Sequence, residues 1–264
     1  MKLSNYKHYL KNPYLYPHLI RIFGRKIKNK IFTNTLEIEK SSTESRQKAE
    51  RWCKENEMTV ESALQEINIK YEEKYFEKKF SNILNEAHTA VSNCPFKLGG
   101  AGNLSLIFQI CENLDAKNVI ETGVAYGWSS LAILCFFDNR NSCHLWSVDK
   151  PYVGVDNTNW VGCAVPESLK KNWSLLRMAD TEGIPKAIKS SEYADFVHYD
   201  SDKSIEGRMF AYPRLWNHLK KGGILVSDDI GDNEGFKLFC EDMNLKPLIV
   251  KDDNKYQGIL KKSL

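Results

Sequence analysis

The chain has 264 residues, 42% of them hydrophobic and 27% charged, enough for one well-buried domain with an appendage. No apolar run approaches the roughly 20 residues that cross a bilayer. The N-terminus lacks an apolar stretch followed by a small-residue cleavage site. The net charge of +3 hides an asymmetry: residues 1–36 carry eight Lys/Arg and no acid, leaving 29 basic against 34 acidic residues after them. A nucleic-acid enzyme concentrates positive field around its site, so nucleic acid is not an expected partner. Seven cysteines lie scattered without CxxC or zinc spacing, which fits reduced thiols in a cytoplasmic protein.

In chain order, residues 1–36 read as a basic amphipathic arm. Leu15, Leu19, Ile20, Ile22, Phe23, Ile27 and Ile31 recur at roughly helical spacing among the basic residues. Such a face suits an anionic membrane surface, the body of the protein or a second subunit. Peripheral contact with the inner membrane face and a homodimer are both open on this reading. Residues 37–95 read as a helical cap. One helix opens at Ser41–Ser45 and runs to about Glu55, and a short one starts from Thr59. A long one carries the stripe Tyr71, Tyr75, Phe76, Phe80, Ile83, Leu84, Ala87 and Val91. Asn93-Cys94-Pro95 and the turn Gly99-Gly100-Ala101-Gly102 join the cap to the rest.

From residue 96 to 264 the rhythm is that of a single domain of alternating helices and strands. Strands are expected at Asn118–Glu121, His144–Asp149, Trp173–Met178, Ala194–Asp200, Gly223–Ser227, Pro247–Lys251 and Gln257–Leu260. Helices fall between them, and Asp252-Asp253-Asn254 turns the last two strands into a hairpin. This pattern predicts an α/β fold: a Rossmann-like, doubly wound, mostly parallel seven-stranded sheet with one antiparallel edge strand.

The first expected strand runs into Glu121-Thr122-Gly123-Val124-Ala125-Tyr126-Gly127-Trp128-Ser129-Ser130, a glycine turn and a helix start. Gly123 permits the tight turn and Gly127 a close approach of ligand to backbone. The spacing is GxxxG preceded by an acid, not the GxGxxG of a pyrophosphate-binding turn. That argues against a nicotinamide reductase and for a cationic amino-acid ligand. Asp149 ends the next strand, where a carboxylate can accept both hydroxyls of a ribose.

These residues resemble the class I S-adenosylmethionine-dependent methyltransferases, over about residues 97–264. The resemblance is to small-molecule O-methyltransferases that include macrocin-type sugar enzymes and catechol methyltransferases. It implies that Glu121, Gly123, Tyr126, Gly127, Trp128 and Ser129 contact the methionine part, that Asp149 binds ribose, and that Ala179, Asp180 and Thr181 border adenine. Val165-Pro166-Glu167-Ser168-Leu169 with Trp173 also resembles bacterial methyltransferases linked to polysaccharide biosynthesis.

A second constellation is Asp200-Ser201-Asp202-Lys203 with Asp228-Asp229 after the next strand. Adjacent parallel strands bring these ends side by side. Three carboxylates in one pocket repel, and an oxygen-preferring cation such as Mg²⁺ relieves the repulsion. Asp200, Asp228 and Asp229 are therefore the expected metal ligands, with the cation lowering the pKa of an acceptor hydroxyl. They match the resemblance too, which also puts Lys203 at the position of the catalytic lysine; many polysaccharide-linked relatives have His there. Asp202 reads as a helix cap and His198 as a core histidine. The expected reaction is methylation of a hydroxyl on a small molecule, a sugar or lipid-linked glycan, assisted by metal. The alternatives are a metal-independent methyltransferase acting on a small aromatic or amine, and a non-catalytic S-adenosylmethionine-binding regulatory or assembly protein.

Overall fold

The computed structural model describes residues 16, 20, 35–151, 159–252 and 254–264, without the side chains of 35–41. Helix α1 (Thr35–Asn56) leads directly into the short strand β1 (Glu57–Met58). Thr59 then caps α2 (Val60–Glu66), its hydroxyl accepting from the Ser62 amide at 3.1 Å. The expected long helix is broken. Lys74 takes a left-handed conformation (φ 57°), and the stripe is divided between α3 (Tyr75–Lys79) and α4 (Ser81–Ser92). Its aromatic side chains still fulfil the predicted packing: Phe76, Phe80 and Phe108 stack on one another with centroids 4.9–5.6 Å apart. The basic arm lies outside the described residues apart from Tyr16 and Ile20, both exposed, and Thr35 and Leu36, which begin α1.

The remaining elements follow the expected alternation. They are α5 (Leu104–Leu114), β2 (Asn118–Thr122), α6 (Trp128–Phe137), β3 (His144–Val148), a 3₁₀ helix at Glu167–Asn172 and β4 (Trp173–Leu176). After them come α7 (Asp180–Ser190), β5 (Ala194–Tyr199), α8 (Ile205–His218), β6 (Leu219–Ser227), α9 (Gly235–Asp242), β7 (Leu248–Asp252) and β8 (Lys255–Lys261). The sheet has eight strands rather than seven, in the order β1-β7-β8-β6-β5-β2-β3-β4. The extra strand comes from the segment read as a purely helical cap: Glu57 and Met58 pair in parallel with Ile249 and Val250. The expected antiparallel strand is β8, which lies between β6 and β7, two places in from the rim strand β1 rather than at the edge.

Continuous apolar runs in β2, β5 and β6 reflect burial on both faces. One core contains Val119, Leu131, Phe136, Leu145 and Phe196, together with Leu64, Phe76 and Leu84 from the segment before residue 96. The opposite face packs Ile120, Val197, Tyr212, Trp216 and Phe239. What matters for the site is the register at the carboxyl ends of the parallel strands. The ladder carries on into the loops: Asp200 N–H donates to Thr122 O at 2.8 Å, Gly123 to Val148 O at 2.8 Å and Asp228 to Tyr199 O at 2.9 Å. The first loop residues after four neighbouring strands thereby lie side by side.

Candidate active site

Those loops enclose a cavity of about 1050 Å³, at the upper end of the range for small-molecule sites. Its wall includes Gly99–Asn103, Gly123–Ala125, Trp128, Ser129, Asp149 and Ala179–Thr181, together with His198, Asp200, Lys203, Phe210, Asp228, Lys255 and Gln257.

The glycine turn is shaped by contact as well as by φ. Gly123 has φ +80°, and a Cβ there would lie 2.1 Å from the Asp200 carbonyl oxygen. The turn after β2 therefore nests directly under the loop that carries Asp200. Gly127 (φ +91°) backs onto Gly162 in the same way. Gly162 in turn lies beneath the Trp173 ring, which gives the expected Trp173 a structural place.

Glu121, Tyr126 and Gly127 do not reach the cavity wall. Glu121 is fully buried and accepts hydrogen bonds from Ser129 Oγ at 2.5 Å, Ser130 Oγ at 2.5 Å and Ser147 Oγ at 2.6 Å. Trp173 Nε1 donates to Ser147 Oγ at 2.8 Å and extends the network. A buried carboxylate is tolerated when hydrogen bonds replace its lost water; here they tie the end of β2 to the first turn of α6. Tyr126 donates its hydroxyl to Phe96 O at 2.6 Å. Gly123, Trp128, Ser129, Asp149, Ala179, Asp180 and Thr181 do line the cavity.

Asp149 faces the cavity and also holds the turn. Its Oδ2 accepts from the amides of Val124 (2.8 Å) and Ala125 (3.0 Å), and its Oδ1 pairs with Arg177. An ionised carboxylate has about four acceptor positions, so capacity for a further donor remains. Asp180 accepts from the Ser201 hydroxyl at 2.5 Å, and burial pushes its pKa above the usual carboxylate value. Ala179–Thr181 thereby sit against the loop after β5.

The three expected metal ligands are not brought together. Asp200 and Asp228 line the cavity, but Asp229 takes a left-handed conformation (φ 53°) and lines a second cleft behind it. Asp229 is ion-paired with Lys203 and with Lys255, the latter at 3.0 Å. Lys203 Nζ also stands 3.1 Å from Asp200 Oδ1, so an ammonium occupies the place between carboxylates that was assigned to a cation. Asp228 is bound by Gln257 Nε2. Among the described residues no group of three His, Cys, Asp or Glu is placed to hold a metal ion. This donor arrangement does not fit the three-carboxylate Mg²⁺ site.

Burial and the neighbouring Asp228 raise the pKa of Asp200, against the opposing pull of Lys203 and His198. His198 lies in β5, 2% exposed, with Nε2 3.8 Å from Asp228 and Nδ1 3.9 Å from Glu121. Asp202 is not itself the cap: Ser204 caps α8 by accepting from the Gly207 amide at 3.0 Å, and Asp202 Oδ1 braces it by accepting from the Ser204 amide at 3.1 Å. Among the wall residues that sequence reasoning missed are Lys150, Phe210, Asn254, Lys255 and Gln257. Nothing in the local pattern of the last three marks them, because the β7–β8 hairpin reaches the cavity only through sheet order.

Residues 120–230 match the family profile described as a methyltransferase domain. Solved structures with the same fold include the O-methyltransferase TomG from Streptomyces achromogenes, involved in tomaymycin synthesis and in complex with S-adenosylmethionine. It is 14% identical, with a TM-score of 0.51 over 77% of this chain and 96% of that one. Another is the O-methyltransferase from Bacillus cereus in complex with SAH, 12% identical, with a TM-score of 0.50 over 77% and 97%. At this identity the likeness shows the fold alone. No curated protein matches the sequence. The cavity lies at the carboxyl ends of the strands within the matched segment, where open α/β sheets bind ligands.

Proposed function

We propose that this protein is an O-methyltransferase that moves a methyl group from S-adenosylmethionine to a hydroxyl of a small molecule, a sugar in glycan or glycolipid biosynthesis. One observation carries the reading: a single cavity is lined by the glycine turn, Asp149 and Asp200 together. The cofactor end fits the ligand. Asp149 offers a carboxylate to the ribose, Ala179–Thr181 border the base, and Gly123–Ala125, Trp128 and Ser129 flank the amino-acid part. Glu121, Tyr126 and Gly127 act from behind the wall by holding that turn.

When bound, S-adenosylmethionine supplies a methyl group activated by the sulfonium. The chain's own residues do the rest. The loops after β2 and β5 lie against each other and hold cofactor and acceptor in one cavity, so that transfer needs no diffusional encounter. Asp200 accepts the hydroxyl proton as the oxygen takes the methyl group; burial beside Asp228 makes it a better proton acceptor than an ordinary carboxylate. Lys203, paired with Asp200 and Asp229, balances the negative charge and is not the base in this reading. Of the Mg²⁺ site expected from sequence, Asp200 and Asp228 face the cavity, and Lys203 takes the cation's place. The acceptor end is walled by carboxylates, amides and lysines with Phe210 as a flat apolar surface, a set suited to a polyhydroxylated ring.

The test is S-adenosylhomocysteine release with a panel of sugar acceptors. Asp200→Asn is expected to lose roughly 10²–10⁴-fold in rate with unchanged cofactor affinity, and a chelator is expected to leave the wild-type rate within twofold. Full activity of the variant removes Asp200 from the reaction; loss in chelator restored by Mg²⁺ returns the metal to it.

A further inference from the structure

Behind the acceptor end lies the second cleft, of about 1120 Å³, walled by α1, the loop after β6 and the β7–β8 hairpin. Asn254 and Lys255 belong to both walls, so the two spaces meet at the hairpin. Asp229 and Lys255, 3.0 Å apart, form part of the partition. The charges on the cleft wall do not cancel. Glu50 is paired with Arg46 and Asp229 with Lys255, whereas Arg51, Lys54 and Lys251 have no acidic partner among the described residues. Asp232 is the remaining acid on this wall. The excess is positive, it is presented by exposed side chains from two elements, and it opens beside the acceptor end of the cavity.

Resting on the reading of the cavity as a methyl-transfer site, we propose that the cleft is a subsite for a phosphate or diphosphate carried by the acceptor. The hydroxyl to be methylated enters the cavity beside Asp200. The anionic group stays outside on Arg51, Lys54 and Lys251, with Lys255 at the junction. Arginine and lysine bind phosphate oxygens through charge-assisted hydrogen bonds. A site of this kind at the mouth also attracts an anionic acceptor before it docks. It gives the chain a way to select activated, phosphorylated sugars over free ones, and it assigns Asp229 to the partition between the two subsites.

The experiment titrates the full chain with inorganic pyrophosphate by calorimetry, at low and at 0.5 M salt, alongside a separate titration with S-adenosylmethionine. Pyrophosphate is expected to bind the wild type and to weaken at high salt. In the double variant R51E/K54E its affinity is expected to fall at least tenfold while cofactor affinity is unchanged. Both side chains are exposed, and the single variant Lys54→Gln, expected to lose a few-fold, guards against a folding defect. Tighter binding of uridine diphosphate than of pyrophosphate assigns the anion to a nucleotide-linked acceptor. Retention on vesicles bearing a polyprenyl diphosphate, lost in R51E/K54E, assigns it to a lipid-linked one. No pyrophosphate binding, or equal binding by wild type and R51E/K54E, overturns the proposal. Failure to bind S-adenosylmethionine would instead overturn the methyl-transfer reading, and the two titrations report these separately.

Discussion

At the cofactor end of the cavity, Glu121 and Asp149 are gripped by three serine hydroxyls, two backbone amides and an arginine. At the acceptor end, Asp200, Asp228 and Asp229 are held by Lys203, Lys255 and Gln257. Apart from Arg177, the first set's partners are backbone amides or short serine side chains, fixed when the chain folds. In the second, Gln257 is buried, but Lys203 and Lys255 are long, partly exposed stems whose pairs can be exchanged for substrate contacts. On the proposed reading, cofactor binding uses a rigid cradle, and acceptor binding uses polar groups that can re-pair.

The largest effect expected from breaking this contrast is at Gly123. Gly123→Ala places a Cβ 2.1 Å from a carbonyl oxygen at φ +80°. A left-handed residue costs about 1–2 kcal/mol and overpacking about 1–3 kcal/mol, so urea unfolding is expected to show a loss of several kcal/mol. A wild-type midpoint would mean that the cradle is not rigid. Next is Glu121→Gln, which turns one hydrogen-bond acceptor into a donor facing serine hydroxyls. The expected cost is about 1–3 kcal/mol, with turnover of the folded enzyme little changed; a large drop in turnover at normal stability would bring Glu121 to the reacting groups.

Smaller still is Lys203→Met. Partly exposed ion pairs contribute little to stability, about 0–1 kcal/mol, so thermal unfolding should barely move while the rate falls about tenfold, the equivalent of 1.4 kcal/mol at the transition state. The smallest effect concerns pH. The folded state raises the pKa of Asp200, so the fold holds that proton more tightly than the unfolded chain and loses stability as pH rises through the carboxylate range. Asp200→Asn is therefore expected to melt slightly above wild type at pH 7 and level with it below the ordinary carboxylate pKa. A variant less stable than wild type at pH 7 would contradict the sign.

The alternation of strands and helices was legible because buried parallel strands are short apolar runs bounded by turn residues, as in Asn118–Thr122 and Ala194–Tyr199. The strand Glu57–Met58 was not, since two residues carry no periodicity and their partner lies far along the chain. The glycine turn and Asp149 could be found from strand ends alone, whereas Ala179–Thr181 came only with the family resemblance. Spacing cannot say which way a side chain leaves the backbone, however. Glu121 points into a serine cage, and Asp229, one residue after Asp228, faces another cleft because its φ is positive. The break was hidden as well: the left-handed Lys74 precedes α3, and the interruption between α3 and α4 falls on Phe80, itself an apolar member of the stripe.

Pairing of β1 with β7 joins Glu57 to Ile249, about 190 positions apart. Until the C-terminal hairpin exists, the early strand has nothing to pair with, and until the early strand docks, β7 offers a bare row of amides and carbonyls to any other chain. Closing that rim late is slow, because so long a loop must be closed first. The molecule's exposure to misassembly should therefore be concentrated in the interval between synthesis of β7 and the arrival of a segment made at the start.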